Sequence, residues 1–145
     1  MLNYIENQCN HYYQQIVIME AGERCEFCGD AGTIFSPLAA HHSIFKSQQP
    51  AYSIRYDWKL GICLCQHHHA YAHDNAIEFM IELKKRISPE KFLYIQKIKN
   101  TPWVKSCSDL REWRAKLKKK YQELIDTAYM NLEVDLPVNH RWKQL

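Results

Sequence analysis

Four of the chain's eight histidines fall within Leu64-Cys65-Gln66-His67-His68-His69-Ala70-Tyr71-Ala72-His73, beside a cysteine. On a short helix over Gln66 to His73, His69 and His73 stand one turn apart on one face, where two imidazoles can converge on one ion. Cys65 and His68 enclose two residues, the reach of a zinc half-site. Arg24-Cys25-Glu26-Phe27-Cys28-Gly29 supplies the other half, a Cys-x-x-Cys knuckle with Gly29 available for a positive backbone angle. Cys25, Cys28, Cys65 and His68 would together complete a closed Cys3His site, the donor set of a structural zinc. Between the halves lies His41-His42, within the apolar, strand-like run Ala39 to Ile44. Neighbours on a strand point to opposite sides, or splay apart at its end. One of the pair can join His69 and His73 on a second ion, and the other stays free for proton transfer.

These residues need elements to hold them. Residues 3–20 read as a helix, with an apolar stripe of Tyr12, Ile16 and Met19, Tyr13 and Val17 adjoining, that ends at Ala21-Gly22. Asp30-Ala31-Gly32 is a turn signal after the knuckle. Ile34-Phe35 and Leu38 to Ile44 predict two short strands interrupted at Pro37, and residues 45–57 predict a polar loop. Leu60 to Leu64 is a third strand candidate that feeds the histidine helix. Asn75 to Arg86 predicts a helix with Ile77, Met80, Ile81 and Lys84 at helical spacing on its inner face. Ser88-Pro89-Glu90 is a start signal, a cap followed by proline in the first turn, and Thr101-Pro102 repeats it. From Ser108, a seam of Leu110, Trp113, Leu117, Tyr121, Leu124 and Ala128 runs beside Arg111, Arg114, Lys116, Lys118, Lys119 and Lys120. Of the other cysteines, Cys9 and Cys63 read as packed core thiols and Cys107 as incidental.

The expected organisation is a single α+β domain over 1–145. It comprises an N-terminal helix (1–23), a metal-stapled core (24–75), a helical extension (76–130) and a tail (131–145) in which Trp142 docks. A length of 145 residues and a hydrophobic fraction of 46% suit one folded domain with a core. No run approaches the roughly 20 apolar residues of a membrane span, and the N-terminus lacks a basic-then-apolar signal pattern. The expectation is a cytoplasmic protein, where six cysteines more often mean metal ligation than disulfides. A net charge of +3 does not by itself point to a polyanionic partner; a basic face is usually the solvated side of an amphipathic helix.

Taken together, Cys25-x-x-Cys28, His41-His42 and Leu64-Cys65-x-x-His68-His69-x3-His73 resemble the HNH endonucleases, the ββα-metal finger family. The similarity is to phage-encoded members with a His-His pair and a Leu-Cys-x-x-His-His element, and it covers about residues 24–75. The resemblance implies a ββα-metal finger core stapled by a structural zinc, in a phage or bacterial protein. It implies DNA as substrate, His42 as general base, and one catalytic divalent ion on His41, His69 and His73. His41 stands where the family often has Asp, and His68 where the last zinc ligand is usually Cys. The family's middle Asn has no counterpart before Leu64; the chain has Asp57, Trp58 and Lys59 there, and Asp57 is the nearest polar candidate.

Phosphodiester hydrolysis needs an activated water, stabilisation of the charged phosphorane, and help for the departing 3′ oxygen. An imidazole with an ordinary pKa of about 6.5 can take the water's proton near neutral pH. By the resemblance, products would carry 5′-phosphate and 3′-hydroxyl ends. Lys46, Arg55 and Lys59 are the expected phosphate contacts. The catalytic ion would be manganese, nickel, cobalt, zinc or magnesium, and an all-imidazole set disfavours magnesium. The alternative is a non-catalytic zinc-binding module that grips DNA or a protein; it leaves His41, His42, His69 and His73 without a task. A zinc hydrolase for small substrates would want a carboxylate base, and the nearby acids are Asp57, Asp74 and Glu78.

Overall fold

The computed structural model describes residues 1–43, 52–100 and 110–135. Lys46, Cys107, the start signal at Thr101-Pro102, and the tail from 136 with Trp142 lie outside the described residues. The architecture is α+β, as expected: among the described residues, helices surround a two-stranded antiparallel sheet. Helix α1 (Leu2–Glu20) buries Ile5, Cys9, Tyr13, Ile16 and Val17, one face at helical spacing. It ends where Gly22 takes φ +67°; Gly22 N–H donates to Met19 O and Glu23 N–H to Ile18 O, which closes its last carbonyls. The chain then turns directly into the knuckle.

Strand β1 (Ala39–His42) pairs with β2 (Gly61–Leu64), with His41 opposite Ile62 and His42 opposite Gly61. The strand expected at Ile34-Phe35 does not form. Thr33 and Ser36 close a tight turn, Thr33 N–H to Ser36 O and Ser36 N–H to Thr33 Oγ1, both 3.0 Å. Two apolar residues held in that turn have no strand to pair with and stand 95% and 98% exposed. The stretch expected as loop carries a one-turn helix α2 (Tyr52–Arg55), which Ile54 and Tyr56 anchor by burial. Asp57 then accepts from Lys59 N–H and starts the 3-10 turn Trp58–Leu60 that delivers β2.

Helix α3 (Gln66–Asp74) follows β2 at once, with Cys65 as its N-cap residue. Asn75 breaks the axis before α4 (Ala76–Leu83), which ends three residues short of the expected Arg86. The inner face of α4 is Phe79 and Leu83, while Ile77 and Ile81 are 75% and 58% exposed. Both pairs are spaced i, i+4, so spacing alone could not choose; the break at Asn75 sets the rotation. Helix α5 (Pro89–Lys99) starts as expected, with Lys91 N–H donating to Ser88 Oγ. Helix α6 (Leu110–Asp135) packs along α1 through Leu110 and Leu117. It runs past the expected boundary at 131, since no proline or glycine stands before Pro137. Among the described residues no helix is long and apolar enough to cross a membrane.

Candidate metal centres

Cys25, Cys28, Cys65 and His68 converge, with all four ligand atoms within 4.8 Å of one another. The knuckle is shaped by backbone: Gly29 N–H donates to Cys25 O, Cys25 N–H to Asp30 O, and Gly29 takes φ +79°. It is pinned to β2 by two bonds, Glu26 N–H to Cys63 O and Cys63 N–H to Glu26 Oε2. That fixes two sulfurs over the start of α3, where Cys65 and the first-turn His68 wait. Cys28 Sγ lies 3.9 Å from Cys65 Sγ, and His68 Nδ1 lies 3.2 Å from Cys65 Sγ and 3.9 Å from Cys25 Sγ. Tetrahedral zinc with its usual bond lengths would set neighbouring ligand atoms about 3.4–3.8 Å apart, so the four residues fit a metal such as zinc.

Burial pushes the Cys25 thiol up, but hydrogen bonds from the Cys65, Cys28 and Phe27 backbone outweigh it and the net shift is down. Cys28 goes up: a hydrogen bond from the Asp30 backbone favours its thiolate, yet burial and the Cys25 and Cys65 sulfurs oppose it more. Sulfurs that compete for negative charge in this way suit a shared cation. Cys63, the other cysteine of the strand, is core as expected; burial and then the Glu26 charge push its thiol up to about 12. Cys9 is likewise fully buried.

His41, His69 and His73 form a second cluster, again with ligand atoms within 4.8 Å. Strand β1 contributes His41, and successive turns of α3 contribute the other two. The ring centroids are 5.5, 5.2 and 4.8 Å apart for 41–69, 41–73 and 69–73, with planes 73–83° from parallel. His41 is buried, and its Nδ1 has no hydrogen-bond partner. A buried nitrogen left so is costly unless something else satisfies it. Burial first, then the neighbouring His69, His73 and His42, hold His41 down at about 4. His69 is lowered by burial and by His73. Neutral imidazoles present lone pairs, so the donors suit a divalent transition ion, and three ligands leave positions open for a further one.

Phe79 meets His41 edge-on at 5.4 Å and stacks on Phe27 at 5.5 Å; Phe27 in turn lies 4.4 Å from His68. Four rings therefore join the two clusters. Arg86 caps the outer end, with its Cζ 4.4 Å over Phe27 and its Nη1 donating to Phe27 O.

His42 turns away from this cluster toward α1, where its ring stacks on Tyr13. Of the expected phosphate contacts, Arg55 reaches Glu6 at 3.0 Å. Lys59 lies 5.9 Å over the Tyr94 ring and shares a cleft with Trp58 and Lys120. Asp57 belongs to neither cluster; besides capping the 3-10 turn it accepts from the Tyr94 hydroxyl. On the basic face of α6, Lys120 pairs with Glu20, Arg114 donates to Gln8, and Lys116 lies 4.4 Å over Trp113. Sequence reading had no signal for Tyr13, Phe27 and Phe79 as neighbours of the histidines, since aromatic residues at helical spacing read as core. Compared with family models, curated proteins and solved structures, the chain matches none.

Proposed function

We propose that the chain is a metal-dependent endonuclease of the HNH type, hydrolysing phosphodiester bonds in DNA around a zinc-stapled ββα-metal finger. The observation that carries this reading is the split of the adjacent pair His41-His42. His41 joins an open three-imidazole cluster, while its neighbour stands outside it, half-exposed at the strand end. The order β1, β2, α3 and the Cys25, Cys28, Cys65, His68 cluster suit the same reading. Zinc on those four residues would staple the knuckle to the start of α3.

His41, His69 and His73 would hold one divalent ion, which when bound supplies charge stabilisation at the scissile phosphate and the departing oxygen. His42 accepts a proton from the attacking water. The water oxygen bonds to phosphorus, the bond from phosphorus to the 3′ oxygen breaks, that oxygen takes a proton from solvent, and the products carry 5′-phosphate and 3′-hydroxyl ends. A non-catalytic zinc module would account for the cysteines but not for the buried, unpartnered His41 nitrogen.

The test is conversion of supercoiled plasmid to nicked or linear forms by metal-loaded protein, beside His42→Ala. The variant should keep both metals and lose roughly 10²–10⁴-fold in rate. Plasmid bound but uncut with every divalent ion tried, or cut equally by His42→Ala, would overturn the reading.

A further inference from the structure

A groove of about 830 Å³ opens beside the three-histidine cluster, lined by both His41 and Ser43 at the end of β1. Its walls include the face of α4 that sequence reading had turned inward, Ile77, Met80 and Ile81, and the Phe92 ring of α5. Three lysines, Lys84, Lys85 and Lys99, also line it, and no carboxylate does among the described residues. Lys85 is engaged by Glu82 at 2.9 Å, and Lys84 lies 5.7 Å over the Phe92 ring. Exposed isoleucines beside the Phe92 ring, with the buried Phe79 beneath and a rim of cations, form an unusual surface for a helix face.

We infer that this groove binds a single-stranded segment of nucleic acid, with an unstacked base on the apolar floor against Phe92 and phosphates at Lys84 and Lys99. The inference rests on the nuclease reading, because it takes the histidine cluster as the place where the strand is cut. The charge selects a polyanion. The apolar floor selects one whose flat, uncharged faces are free, and in a duplex those faces are hidden in the stack. A second copy of the chain is disfavoured, since self-pairing of this face would set lysines against lysines. The groove thus makes strand opening, or substrate that is already single-stranded, part of recognition at this centre.

The test is fluorescence anisotropy on the zinc-loaded chain, with no divalent ion other than zinc, on oligonucleotides shown intact afterwards. Three probes of equal length separate the sources of affinity: oligothymidylate, the same backbone without bases, and a duplex. Oligothymidylate should bind tightest, and the abasic strand roughly tenfold more weakly, the effect of one stacked base. Phe92→Ala should weaken oligothymidylate by a similar factor and leave the abasic strand unchanged. Ile77→Ser, at an exposed position that folding does not need, should weaken it in the same direction. Equal affinity for strands with and without bases would overturn the inference, as would a duplex bound more tightly. So would self-association in sedimentation that Ile77→Ser abolishes. Plasmid cutting is scored separately. Cutting without base-dependent binding overturns the groove alone, whereas base-dependent binding without cutting supports the groove and overturns the nuclease reading.

Discussion

Tyr13 lies flat against His42, with ring centroids 4.8 Å apart and planes 4° from parallel. The contact depends on Gly61, the partner of His42 in the ladder: a Cβ there would stand 2.8 Å from the Tyr13 hydroxyl and closer still to Val17. Helix α1 therefore rests on a strand that has no side chain at this point, and the Val17 methyls and the Tyr13 hydroxyl take the vacant space. The proposed base is held in one plane by a neighbour that cannot itself accept its proton, because burial and then the Asp57 charge push the Tyr13 phenol up.

Tyr13→Phe keeps the stack and should cut DNA at close to the wild-type rate. Tyr13→Leu removes the plane and should lower kcat roughly two- to tenfold, the worth of an aromatic pair, with KM and metal content unchanged. Gly61→Ala should cost about 1–3 kcal/mol by overpacking α1 against β2, read in a denaturant titration. An unchanged kcat in Tyr13→Leu would reduce the stack to packing.

Removal of metal from the cysteine cluster should loosen the knuckle and the sheet, since β1 and β2 offer only four residues each. Cys28→Ser should lower the melting temperature and cost one zinc equivalent, although Cys28 is exposed and buries little. Zinc content by mass spectrometry under native conditions, beside the melting curve, checks both. A full zinc equivalent at an unchanged melting temperature would exclude Cys28 as a ligand.

Metal preference follows from three imidazoles without a carboxylate. Manganese, nickel or cobalt should support faster cutting than magnesium at equal concentration, and zinc should bind well whether or not it turns over. His73→Ala should lose this ion, while His42→Ala keeps it. Equal loss of affinity in both variants, measured by calorimetry, would mean that the roles of His41 and His42 are exchanged.

Three tyrosines should titrate late. Tyr56 and Tyr94 are each pushed up to about 12 by burial first; Tyr94 is also raised by its bond to Asp57, and Tyr13 moves the same way. Above the ordinary phenol value the unfolded chain loses these protons and the folded chain keeps them. Stability is thus intact below about pH 10 and falls as pH rises toward 12. Tyr94→Phe should flatten that alkaline limb of the stability curve. A phenolate absorbance titration in which every tyrosine ionises near 10 would contradict the burial of these rings.

Much of this was legible from local chemistry. Ser88-Pro89 announces α5, Gly22 ends α1, and the grouping of Cys25, Cys28, Cys65 and His68 follows from cysteine and histidine spacing, because metal geometry restricts sequence spacing tightly. Spacing also pairs His69 with His73, while the choice of His41 over His42 beside them rested on the resemblance. What was not legible depends on partners distant along the chain. Ile34-Phe35 has strand composition, yet a strand needs a neighbour, and Thr33 and Ser36 close the turn first. Two apolar faces of α4 were equivalent until Asn75 set its rotation. Arg55 read as a phosphate contact because Glu6, its partner, lies 49 residues away. Tyr13 was one apolar residue among several until the packing of α1 on the sheet set its ring against His42.

The rings of His68, Phe27, Phe79 and His41 have a last consequence. They form a continuous packed row from one ligand cluster to the other. An ion held by His68 would bind a ring already packed on Phe27 and, through Phe79, on His41. Were both clusters to hold ions, filling either would reduce the ordering cost of filling the other, and thermodynamic reciprocity would make the factor the same in both directions.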